Sequence, residues 1–192
     1  MTGTGLLGGS FNPAHGGHRR ISVHAMDQLG LDEIWWLVSP QNPLKPVKGM
    51  APLKERLAQA RKVAGNGRIK VTDIETRLGT RYTADTIAAL KCQFPRLDFV
   101  WLMGADNLAQ ISRWDRWQSI FQAVPIAVFD RPAYSLSALN AKAAQRYSTR
   151  RVAPEQAGDL AALEPPAWTF IRVRLHPASA TQIRAGAAKP GK

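Results

Sequence analysis

The sequence predicts an α/β fold: a Rossmann-like, doubly wound parallel sheet with helices on both faces, built as a single domain. Three observations predict it. Short apolar runs alternate with helical periodicities along the chain, the pattern of a parallel sheet with right-handed crossovers. Two runs, Glu33 to Ser39 and Phe99 to Met103, are almost continuously apolar, as expected of strands covered on both faces. Residues suited to binding cluster just after the strand candidates, where ligands bind on such sheets.

The elements follow in order. Gly5 to Gly8 is the first strand, and Gly8-Gly9 breaks it. Arg19 to Leu29 is an amphipathic helix closed by Gly30, or one starting near Gly16 if the histidines belong to it. Glu33 to Ser39 is the second strand, ended by Pro40. Leu53 to Val63 is helical, with Leu57, Ala60 and Ala64 at core spacing. Ile69 to Thr72 is a short strand. Thr83 is the expected N-cap of a helix to Cys92, with Ile87 and Leu90 facing inward. Phe99 to Met103 is the fourth strand, Trp117 to Ala123 a helix, and Pro125 to Phe129 the fifth strand. Leu136 to Arg146 is Ala-rich and reads as one helix. Trp168 to Leu175 alternates apolar and basic residues, as a strand with one wetter face does. Ser179 with Gln182 fits a capping box opening a last helix. The domain is expected to span residues 1–186, with 187–192 a frayed basic tail.

Composition narrows the function classes. At 192 residues, 45% hydrophobic and 21% charged, the chain is expected to be globular and to bury one core. No apolar run approaches the roughly 20 residues of a membrane span. The first strand begins by Leu6, which leaves no room for a signal peptide, and a single cysteine, Cys92, excludes an internal disulfide. A cytoplasmic location is expected. The net charge of +12 suits polyanion binding. The basic residues are scattered, however, and no helix-turn-helix, zinc-finger or RNP-type motif is present. Small anions are therefore the expected ligands, not nucleic acid. The sequence specifies no oligomeric state.

The stretch Gly8-Gly9-Ser10-Phe11-Asn12-Pro13-Ala14-His15-Gly16-Gly17-His18 carries the chemistry. Glycines allow close backbone approach to a ligand. A helix beginning near Gly16 would turn its free N–H groups and positive dipole end toward an anion. Histidines at i and i+3 share one face. These are the parts of a phosphate site with two imidazole donors. Each part alone also has a bland reading: a Gly-Gly turn, or a half-built metal site. A zinc site needs a third ligand. Beyond the pair only His24, His176 and Cys92 are available.

As a whole the stretch resembles the Gly-x-Phe-x-Pro-x-His-x-Gly-His signature of the nucleotidylyltransferase superfamily. Its fuller form resembles that of the bacterial nicotinate-nucleotide adenylyltransferases. Asn12 stands where most members carry Asp, so no carboxylate role is carried over to that position. A second stretch, Ser179-Ala180-Thr181-Gln182-Ile183-Arg184, is similar to the family's Ser-x-Thr-x-x-Arg signature. The resemblance implies that ATP is bound by Gly8, Gly9, Ser10, Phe11, His15, His18, Gly104, Asp106, Ser179, Thr181 and Arg184. His15, His18 and Arg184 would be the catalytic residues. Nicotinate mononucleotide would be bound by Ser10, Phe11, Lys45, Thr83, Trp114 and Arg131.

Several residues also carry structural readings. Asp106 could instead be a helix cap. Trp117 reads as core, whereas Trp114 matches the tryptophan that stacks on the pyridine ring. In Arg77-Leu78-Gly79-Thr80-Arg81-Tyr82-Thr83-Ala84-Asp85-Thr86, Arg81 occupies the family's usual Ser. The resemblance implies adenylyl transfer from ATP to nicotinate mononucleotide, with Mg²⁺ bound through the ATP phosphates and no protein metal ligands. Rival readings are nicotinamide mononucleotide as acceptor, a sister nucleotidylyltransferase, and a nucleic-acid-binding protein on an inactive scaffold. Phosphopantetheine adenylyltransferases usually have Thr at the first histidine, and cytidylyltransferases have a different second motif. Intact His15, His18 and Arg184 disfavour the inactive scaffold.

Overall fold

The computed structural model describes residues 2–40, 49–65, 67–131 and 134–172. The strands are β1 (Thr2–Gly9), β2 (Glu33–Val38), β3 (Ile69–Thr72), β4 (Leu97–Gly104), β5 (Ile126–Phe129), β6 (Arg151–Val152) and β7 (Trp168–Ile171). They form one sheet in the order β3-β2-β1-β4-β5-β7-β6, and every described pairing is parallel. Strand order runs outward from β1 in one direction and from β4 in the other. The carboxyl ends of β1 and β4 therefore flank the switch point at which such sheets bind ligands.

The helices are α1 (Gly16–Leu29), α2 (Leu53–Ala64), α3 (Ile74–Leu78), α4 (Thr83–Gln93), α5 (Ala105–Gln110), α6 (Trp117–Ala123), α7 (Ser135–Leu139) and α8 (Lys142–Arg146). They cover both faces, and the strands alternate accordingly. Leu6 and Trp101 pack with Ile87, Leu90, Ile120 and Phe121 on one side. Leu7 and Leu102 pack with Met26, Leu29, Trp36 and Leu57 on the other. The inward residues expected of α2 and α4, Leu57, Ala60, Ala64, Ile87 and Leu90, are all buried.

The structure adds to the sequence reading at several points. The Ala-rich segment is two short helices broken at Asn140-Ala141, with Leu136 79% exposed. The four described residues of β7 are all buried. Arg172, the first basic position of the expected wetter face, is exposed, and residues 173–176 lie outside the described residues. Residues 154–162 form a 3-10 helix, and its Leu160 fills the α1 side of the core. Finally, α3 and β6 had no sequence expectation, being too short for a period to show.

Buried polar groups tie the frame together. Trp36 Nε1 donates to Ser22 Oγ (2.7 Å), which donates to the His18 carbonyl (2.9 Å). Arg56 is buried, and its guanidinium donates to four carbonyls: Ser10 (2.6 Å), Ser39 (2.8 Å), Ala51 (2.9 Å) and Pro40 (3.0 Å). It thereby joins the segments that follow β1 and β2.

At Gly8 a Cβ would lie 2.6 Å from the Trp101 ring, so β1 meets β4 there with no room for a side chain. Gly8→Ala should cost about 1–3 kcal/mol, as overpacking does. In a Trp101→Leu background most of that penalty should vanish. Urea unfolding of the two single variants and the double variant checks this as a double-mutant cycle.

Candidate active site

The turn after β1 is built by the two histidines. His15 occupies the N-cap position of α1, and its Nδ1 accepts from the Gly17 N–H (3.1 Å). His18 Nδ1 accepts from the His15 N–H (3.2 Å). The pair forms a reciprocal capping box, the arrangement usually made by Ser or Thr with Glu. It starts the helix at Gly16, ahead of Arg19, despite two glycines in the first turn. With both Nδ1 atoms accepting, the neutral rings carry their proton on Nε2. The rings lie 3.9 Å apart, and Phe11 stacks on Trp36 while meeting His18 at a tilt. Phe11 is 2% exposed. Its ring is core, and only its backbone, held at φ 44°, remains for the ligand contact expected of it. The Asn12 amide donates to Gly49 O (3.1 Å) and accepts from Ala51 N (3.2 Å). An aspartate could make only the second bond.

A cavity of about 480 Å³ opens beside this turn. Gly8, Gly9 and Ser10 form one wall, Thr83 with Arg81 and Tyr82 another, and Trp114 with Arg113 and Asp115 a third. Five expected residues, Gly8, Gly9, Ser10, Thr83 and Trp114, thus share one cavity although they are far apart in sequence. Trp117, by contrast, is core.

Thr83 plays a different local role from the one expected. Tyr82 is the N-cap of α4, and neither side chain caps the helix. Thr86 secures the first turn instead. Its hydroxyl bonds Tyr82 O (3.2 Å), Thr80 Oγ1 (2.9 Å) and Glu75 Oε1 (3.4 Å). Asp106 is likewise not a cap, because Gly104 holds that position in α5. Asp106 sits 3.2 Å from Arg131 Nε, which links the ends of β4 and β5. Gly104 leaves space for that pair, since a Cβ there would collide with both side chains.

Arg116 joins two walls. It donates twice to Asp85 on α4 (2.7 and 2.8 Å) and once to Asp115 (2.6 Å) beside Trp114. Its backbone is left-handed, at φ 44°. Such a conformation in a non-glycine residue persists only where the surroundings impose it. The hydrogen bond from Arg116 and its charge hold the Asp85 carboxyl below its ordinary range.

Sequence reasoning missed Glu75, Ser39, Asn107, Gln110 and Arg113 in the cavity wall. Glu75 and Ser39 carried no motif signal. Asn107, Gln110 and Arg113 sit at helical spacing after β4 and could have been found from that. No group of three or more His, Cys, Asp or Glu side chains gathers among the described residues. Lys45, His176, Ser179, Thr181 and Arg184 lie outside the described residues.

A parallel doubly wound sheet with a glycine turn, a paired-imidazole helix start and a cavity at the switch point defines a nucleotide-binding class of protein. Comparison with known proteins makes this particular: the chain belongs to the cytidylyltransferase-like family, whose model matches residues 6–186. A probable nicotinate-nucleotide adenylyltransferase of Cereibacter sphaeroides is 54% identical over 94% of this chain and 96% of its own. One from a Bradyrhizobium species is 53% identical over 94% of each. The fold is shared with Plasmodium falciparum nicotinic acid mononucleotide adenylyltransferase complexed with NaAD. That structure has a TM-score of 0.71 and 16% identity, over 96% of this chain and 83% of that one. The same protein complexed with APC gives a TM-score of 0.69.

Glu75 supplies a test of the site's electrostatics. Burial pushes its carboxyl above the ordinary value of 4.5, against the pull of hydrogen bonds from Ser39 and Thr86. The folded state therefore holds this proton more tightly than the unfolded state. Stability falls as pH rises from the unfolded value toward the raised folded one. Glu75→Gln removes that term. Its Tm should gain on that of the unmutated protein between pH 4 and pH 8, and the two should converge at the acid end.

Proposed function

We propose that the protein transfers the adenylyl group of ATP to nicotinate mononucleotide, giving nicotinate adenine dinucleotide and pyrophosphate, a step of NAD biosynthesis. The observation that carries this reading is the single cavity in which the β1 glycine turn meets the start of α4 and the Trp114 face. A phosphate-binding turn and an aromatic platform beside open helix N–H groups match the two ends of a pyridine mononucleotide. The relatives' names and the dinucleotide bound by the Plasmodium protein agree with it.

The mononucleotide phosphate is ionised at neutral pH and needs no general base. Its oxygen attacks the α-phosphorus in line, a new P–O bond forms, and the bond to pyrophosphate breaks. Such chemistry rests on positioning and charge neutralisation. His15 and His18 donate from Nε2 to phosphate oxygens as charge builds, each ring being oriented through its Nδ1. Gly8, Gly9 and Ser10 bring backbone close to the phosphates. Asp106, with Gly104, takes the ATP ribose, and Arg131 and Lys45 contact phosphate. Ser179, Thr181 and Arg184 hold the β- and γ-phosphates. Trp114 stacks on the pyridine ring, and Thr83 opens the helix end that receives the carboxylate. Imidazoles and backbone N–H groups are phosphate partners, not hard-cation ligands. Mg²⁺ would therefore be held by ATP oxygens and water, where it neutralises triphosphate charge. No described helix is long and apolar enough to cross a membrane. The one cysteine is free and exposed, in keeping with a reducing cytoplasm.

Pyrophosphate release with ATP and each mononucleotide in turn tests the reading. Nicotinate mononucleotide should exceed nicotinamide mononucleotide at least about tenfold in kcat/KM. A buried donor left unpaired by the amide costs about 1–3 kcal/mol, and 1.4 kcal/mol is about a factor of ten. His18→Ala should lower kcat by about 10²–10³, as loss of a preorganised donor does. It should also lower stability by about 1 kcal/mol through the lost cap. Near-normal turnover by a folded His18→Ala protein would reject the catalytic assignment.

A further inference from the structure

We infer that Arg81 is the specificity-determining residue for the acceptor: its guanidinium pairs with the carboxylate of nicotinate mononucleotide at the start of α4. The inference deepens the adenylyl-transfer reading and rests on it. Arg81 stands in the short link between Gly79, which ends α3 with φ 65°, and Tyr82, the N-cap of α4. It lines the same cavity as Thr83 and Trp114.

Among the described residues, the surrounding charges leave this cation unpaired. Asp85 is the nearest acidic residue in sequence, but both of its carboxylate oxygens are taken by Arg116. Asp115 is taken by Arg116 as well. Glu75 is buried and bonded to Thr86. Among the described residues, Arg81 has no ion pair. Its guanidinium lies 6.0 Å from the Tyr82 ring centroid, a cation–π contact that steadies it on the cavity wall.

The chemistry matches a carboxylate. A guanidinium presents parallel N–H donors to two oxygens. A neutral amide offers one oxygen and turns an NH₂ toward the same donors. The carboxylate would sit between the Arg81 fork and the open N–H groups of α4, with the ring on Trp114.

The test is competition kinetics with nicotinate and nicotinamide mononucleotides on the unmutated protein, Arg81→Ala, Arg81→Lys and Arg113→Ala. Arg113, the other cation of the cavity wall without an ion pair among the described residues, separates a local contact from general wall charge. Arg81→Ala should cut the nicotinate preference about tenfold, the scale of one charge-assisted pair. The loss should appear as a raised KM for nicotinate mononucleotide, with the KM for ATP and the Tm unchanged. Arg81→Lys should fall between, and Arg113→Ala should leave the ratio intact. An unchanged ratio in Arg81→Ala overturns the inference and leaves adenylyl transfer standing. Equal weakening of both mononucleotides points to a phosphate contact and also overturns it. If the unmutated protein releases pyrophosphate with neither mononucleotide, the underlying reading falls, and this one with it.

Discussion

The reciprocal hydrogen bonds between His15 and His18 set the geometry on which the rest of the site depends. Gly16 and Gly17 are poor residues with which to begin a helix, and the first turn contains no acidic residue. The two imidazoles supply what the local sequence lacks. They fix where α1 starts, and Ser22 and Trp36 fix how it lies on β2. Each ring is oriented through its Nδ1 by hydrogen bonds within the turn itself. Orientation of the proposed donors is therefore a property of the fold and is present before any ligand arrives.

The opposite side of the cavity is built by different means. The start of α4 is held by Thr86 from within and by Arg116 from across the cavity. Thr83 caps nothing, and Trp114 is half-buried against the core while also lining the cavity. Their positions follow from neighbours one to three residues away. This separates the residues that face the ligand from those that place them. It explains why a threonine that makes no cap can still open the helix toward the cavity.

Much of this was legible in the sequence. Strands buried on both faces read as apolar runs because nothing polar can be placed on either side, and α2 and α4 read from their periodicity. The glycine turn, the histidine pair, Thr83 and Trp114 read through family resemblance; Gly8, Gly9, Ser10, Thr83 and Trp114 line one cavity, and His15 and His18 are not among its lining residues. What escaped reading was whatever depends on partners distant in sequence. Arg56 looks like part of the solvated face of a Lys-Glu-Arg helix, yet it is buried, because its acceptors are carbonyls contributed by other segments. Phe11 looks like a ligand contact because it lies inside the motif, but its ring completes the stack on Trp36. Thr83 resembled a cap because residue type favours it there, while the backbone gave that position to Tyr82. The broken helix at 135–146 shows the converse: high helix propensity cannot specify length when no apolar stripe demands burial.

Arg56 also has an electrical meaning. All four of its described acceptors are neutral carbonyls, so no counter-ion within the described residues cancels its charge. Desolvation lowers its pKa, but a guanidinium remains protonated throughout the range in which proteins fold. Its nearest contact is the carbonyl of Ser10, in the turn that faces the cavity. The proposed phosphate end of the site thus contains a permanent positive potential that pH does not titrate. Being buried, it is also screened by salt far less than a surface lysine would be. Attraction for a polyphosphate should have a component that persists at ionic strengths sufficient to quench the scattered surface charge.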